Sequence, residues 1–101
     1  MHLIEIFLPL SDNDGVRFAA GTFVEVRREL TEKFGGLTAF SRAPAEGTDT
    51  EGGRARHDEL VVFEVMTEQL DRAWWSAYRK QLEHTFRQQR ILIRRSAVTV
   101  L

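Results

Sequence analysis

The spacing of apolar residues switches twice along this chain, from alternate positions to every third or fourth and back, and no other feature restricts the fold as much. HLIEIFLPL, residues 2–10, is short, β-branched and aromatic, with a polar break at Glu5 and Pro9 near its end, and reads as a first strand. Beyond the turn-rich SDNDG the period changes. Val16, Ala19, Phe23, Val26, Leu30 and Phe34 trace one stripe of a helix whose other face carries Glu25, Arg28, Glu29 and Glu32. Gly35-Gly36 stops it, because a glycine past the last apolar position adopts the left-handed conformation cheaply.

LTAFSRA (37–43) reads as a second strand and ELVVFEVM (59–66) as the clearest strand of the chain. Between them, APAEGTDTEGGRARHD has no aliphatic side chain larger than alanine, which predicts a long mobile hairpin loop over 43–58. The helical period returns in LDRAWWSAYRKQLEHTFRQQ, and ILIRRSAVTVL closes the chain as a fourth strand. This order, βαββαβ within a single domain over residues 1–101, resembles the ferredoxin-like α+β sandwich. That resemblance implies a four-stranded antiparallel sheet of order 4-1-3-2, with two helices on one face and the other face open.

Alternation assigns side chains to that open face. With His2, Ile4, Ile6, Leu8, Val61, Phe63, Val65, Ile91 and Ile93 turned toward the helices, the outward set is Leu3, Phe7, Leu60, Val62, Met66 and Leu92. These surround a charged group of Glu5, Glu64 and Arg94. So much contiguous apolar surface calls for a cover, either a second copy forming a homodimer or a small ligand between two such faces. Glu5 and Glu64 read either as a proton-sharing pair for acid–base chemistry or, with Arg94, as an ion cluster that fixes register. In the second helix Trp74 and Trp75 fall near the two edges of one apolar arc roughly 120° wide, Trp75 the deeper, so both serve as core anchors unless Trp74 faces a ligand at a pocket rim.

Composition removes several function classes. With 14 basic against 15 acidic residues the net charge is −1, which gives no overall pull toward nucleic acid or an anionic membrane. The outward sheet positions also lack the aromatics interleaved with basic residues that bind RNA on a sheet. Cysteine is absent, so disulfides and thiolate chemistry are excluded and a cytoplasmic protein is expected. The N-terminal apolar run is too short for a membrane span and lacks the flanks of a signal peptide. His2, His57 and His84 are scattered outside any metal-binding spacing, and the SDND run, which can chelate a hard cation, is equally a turn, so neither a metal nor a cofactor is expected.

The stretches EIFLPL, RRELTEKFGGLTAFSRAPAEG and DRAWWSAYRKQLE resemble a family of small bacterial proteins of ferredoxin-like, dimeric α/β barrel type. The resemblance runs nearly end to end and implies no assigned activity. It leaves two expectations for Glu5, Phe7, Glu64, Arg94 and Trp74. One is a homo-oligomeric module that binds a small molecule, or plays a regulatory or structural part, at the open face. The other is a cofactor-free enzyme, monooxygenase- or isomerase-like, with Glu5, Glu64 and Arg94 lining a pocket.

Overall fold

The first strand, β1 (His2–Pro9), buries every second residue, and Ile4, Ile6 and Leu8 are sealed from solvent in the computed structural model. The structure describes residues 1–35, 38–45 and 58–101. Helix α1 (Ala20–Phe34), strand β2 (Thr38–Ala45), strand β3 (Asp58–Thr67), helix α2 (Arg72–Thr85) and strand β4 (Ile93–Ala97) complete the order of elements. The strands form one sheet in the order β2-β3-β1-β4, with every neighbouring pair antiparallel. Ile4, Ile6 and Leu8 of β1 and Val61, Phe63 and Val65 of β3 join Val26 and Leu30 of α1 and Trp75, Tyr78 and Leu82 of α2 in one core.

The two helices begin differently. Asp71 caps α2, its carboxylate accepting the Trp74 N–H at 3.1 Å, whereas Ala19 precedes α1 with no side-chain cap and no acid follows in the first turn. At the far end of α1, Gly35 sits at φ 76° and donates its N–H to the Thr31 carbonyl, as the glycine pair predicts.

Element boundaries depart from the apolar rhythm in four places, each for a local reason. Val16 does not join the α1 stripe and is 63% exposed. The Asp12 carboxylate accepts the N–H groups of Asp14 and Val16, both at 2.9 Å, and so folds Ser11–Arg17 into a tight turn closed by a Ser11–Arg17 bridge. Helix α2 stops at Thr85 rather than Gln89, because Arg87 turns left-handed at φ 50° and the N–H groups of Arg87 and Gln88 close back on His84 and Glu83. Regular pairing of β4 covers Ile93–Ala97, although the Phe7 N–H still reaches the Leu92 carbonyl at 3.0 Å. Strand β2 continues to Ala45 through a register shift after Arg42, so part of the expected loop is strand. Residues 46–57, which contain the rest of that loop and His57, lie outside the described residues.

Candidate functional site

The register of the three strands β3, β1 and β4 sets Glu64, Glu5 and Arg94 side by side. Glu5 is paired with Glu64 on one side and with Arg94 on the other, all pointing away from the helices. Arg94 donates from Nε to Glu5 Oε1 at 2.9 Å and lays its guanidinium over the Phe7 ring, 4.9 Å from the centroid. Glu5 is only 13% exposed in its side chain while Arg94 is 55% exposed, so the pair lies at the surface with its acid end sunk into the sheet. The structure thus brings together four of the residues that alternation selects: Glu5, Phe7, Glu64 and Arg94. Direct pairing of Arg94 with Glu5 favours the ion cluster over a lone carboxylate pair.

Trp74 is not among them. It lies on the helix side of the sheet, half-buried, stacked on Tyr78 at 4.8 Å and edge-on to Phe34 at 5.3 Å, with the Lys33 ammonium over its ring. Trp75 is the deeper indole, 8% exposed and stacked on Phe34.

The outer face is less open than alternation alone suggests. Val62 is completely buried there, and Leu3, Phe7 and Leu60 are half-buried, leaving Met66 and Leu92 about half exposed at 52% and 53%. Val62 occupies the middle of the sheet, in register with Phe7 on β1 and Phe40 on β2.

Next to the charged row a wide groove of about 720 Å³ opens over the end of β1, its floor formed by Phe7, Pro9, Leu60 and Leu92. The Ser11–Arg17 turn makes one wall. It is pinned to β3 by an Arg17–Glu59 ion pair of 2.7 Å and to the end of α2 by Arg87–Asp12 at 3.1 Å. Asp12 therefore spends one carboxylate oxygen on its own turn and the other on Arg87, an arrangement that explains the SDND run without a cation. Alternation identifies the floor of this groove but not its wall, because the pairings across 42 and 75 positions leave no local pattern.

No protein-family profile and no curated protein matches the chain. Solved structures do. A phage SAM lyase in complex with S-methyl-5′-thioadenosine superposes with a TM-score of 0.60 at 16% identity, over 94% of this chain and 79% of that one. A phage SAM lyase in the apo state gives a TM-score of 0.53 at 12% identity, over 94% of this chain and 78% of that one. Likeness at this identity is a likeness of fold: a small α+β sandwich of the same build, on which a small molecule is bound in one case.

Proposed function

We propose that the chain is a small-molecule-binding protein that uses the outer face of its sheet, with the groove beside Phe7 as the pocket. The single observation that carries this reading is an apolar-floored groove whose Phe7 ring also lies under the Arg94 guanidinium, so that the Glu64–Glu5–Arg94 row adjoins the groove through Phe7. Such a site suits a flat ring bearing hydroxyl or amino donors. Phe7, Leu60 and Leu92 offer apolar contact, and the carboxylates accept hydrogen bonds. A purine nucleoside thioether has that chemistry, and S-methyl-5′-thioadenosine is the molecule bound in the phage SAM lyase whose fold this chain shares. On this reading the ferredoxin-like face also pairs with a second copy, the exposed Met66 and Leu92 joining the interface of a homodimer.

Isothermal titration of the whole chain with S-methyl-5′-thioadenosine tests the assignment. Saturable binding is expected, weakened about ten-fold or more by Phe7→Ala or by Glu64→Gln, since a lost charged acceptor or stacking partner is worth ~1.5–3 kcal/mol. Binding unchanged in both variants, with both still folded, defeats the site.

A catalytic reading rests on one further observation, the two carboxylates of Glu5 and Glu64 opposite each other in register. In that case one sulfonium C–S bond of SAM breaks as the molecule's own carboxylate closes on the departing carbon, so that S-methyl-5′-thioadenosine and the aminobutyrate fragment as its lactone appear together by chromatography, and Glu64→Gln abolishes the conversion. Intact SAM after prolonged incubation with an active fold removes this reading and leaves binding in place.

A further inference from the structure

The corner between α2 and the edge strand β4 collects positive charge around a second hollow. Arg72 and Arg79 are seven residues apart on α2 and therefore share a face, two turns separated. Arg95 pairs in register with Ile4, which turns it to the helix side of the sheet. With Arg94 they line a hollow of about 230 Å³ whose apolar wall includes Ile4, Trp75 and Ile93.

Four other arginines hold carboxylates, Arg17 with Glu59, Arg28 with Glu25 and Glu32, Arg87 with Asp12, and Arg94 with Glu5, while Arg27 and Arg90 join no ion pair among the described residues. Among the described residues, Arg72, Arg79 and Arg95 have no carboxylate within ion-pair reach. Asp71, beside Arg72, is turned to the Trp74 N–H as the α2 cap, and Glu83, the acidic side chain nearest in sequence to Arg79 and Arg95, accepts the Ile91 N–H. Arg95 spends only its Nε, which donates to His2 Nδ1 at 2.8 Å, so its terminal N–H groups stay available. His2 itself is held below its ordinary pKa by burial and then by Arg95, with Arg72 adding to the effect, as a locally positive field requires.

We propose that this corner is a binding site for a small organic phosphate, the phosphate taken by the guanidinium groups of Arg72, Arg79 and Arg95 and its apolar body resting against Trp75 and Ile93. Guanidinium forks match phosphate oxygens in pairs, and three of them around one hollow exceed what a single carboxylate needs. The volume admits a body no larger than one ring beside the phosphate. Because this hollow and the Phe7 groove share no lining residue, each can fail without the other.

Titration calorimetry of the whole chain with phenyl phosphate, compared with inorganic phosphate, tests the proposal. Phenyl phosphate binds saturably and more tightly than phosphate alone. Arg79→Ala and Arg95→Ala each weaken it about ten-fold or more, and Arg28→Ala on α1 leaves it unchanged. Circular dichroism melts confirm that the variants fold; if Arg95→Ala does not, Arg79→Ala on the exposed face of α2 decides alone. No saturable binding by the wild type, or binding by a folded Arg79→Ala equal to wild type, overturns the site. Equal affinity for the two probes overturns the role of the apolar wall.

Discussion

Trp75 stacks on Phe34 with ring centroids 5.3 Å apart and planes 12° from parallel, while its neighbour Trp74 turns out toward Lys33. Truncating a buried large aromatic costs ~3–5 kcal/mol against the ~5–15 kcal/mol that keeps such a domain folded. Trp75→Ala is therefore expected to bring the protein close to unfolding, and Trp74→Ala to cost clearly less; urea melts followed by circular dichroism compare them. Tyr78 packs against both indoles with its hydroxyl buried and without a hydrogen-bond partner among the described residues. Burial, together with Glu29 and Glu25, pushes that phenol well above its ordinary pKa. An unsatisfied buried donor costs ~1–3 kcal/mol, so Tyr78→Phe is expected to leave stability unchanged or raised in the same melts. His2 supplies the pH dependence at this scale. Its folded-state pKa is lowered, so as pH falls through 6.5 the unfolded chain takes up the proton first and stability drops, levelling off below the folded-state value. Replacing His2 with Asn is expected to flatten that part of a pH series of melts.

The elements divide into those with strong starts and stops and those without. Asp71 gives α2 a cap that α1 lacks, and Asp71→Ala is expected to cost ~1 kcal/mol by urea melt, with amide exchange speeding up first at Trp74 and Trp75. The α+β class and the sequence of strands and helices were legible because the apolar spacing changes cleanly between them. What the spacing could not show was where a side chain takes over from the rhythm. Val16 falls in step with the α1 stripe, yet the Asp12 carboxylate draws it into the preceding turn. Phe86 and Arg87 continue the period of α2, yet Arg87 adopts the left-handed conformation that glycine usually supplies, with its guanidinium tied to Asp12 and lying over the Phe18 ring. Those ties join residues far apart in sequence, and no local pattern announces them.

At the scale of the whole molecule there are two concavities, the Phe7 groove and the arginine-lined hollow beneath α2, and each is proposed as a site. Strict alternation along β1, β3 and β4 was enough to put Glu5, Phe7, Glu64 and Arg94 on one face, since the side-chain period of a strand leaves no freedom about faces. It placed Val62 on the same face but could not show that its neighbours bury it. Nor could it identify the groove wall, which depends on tertiary ion pairs. The hollow beneath α2 escaped it too, because it joins Arg72 and Arg79 of α2 to Arg95 of β4. Among the described residues no helix is long and apolar enough to cross a membrane. If the outer face pairs with a second copy, sedimentation equilibrium at high micromolar concentration shows a dimer and Phe7→Asp shifts it toward monomer; a wild-type monomer contradicts the pairing.

The outer face as a small-molecule site is tested most directly by amide chemical-shift mapping of the whole chain during titration with S-methyl-5′-thioadenosine. The account predicts that the moving resonances cluster at Glu5, Phe7, Leu60, Glu64 and Leu92, around the charged row and the groove beside it, while Val26 and Tyr78 on the helix side stay in place. No shifts at all, or shifts confined to the helix side of the sheet, would contradict it.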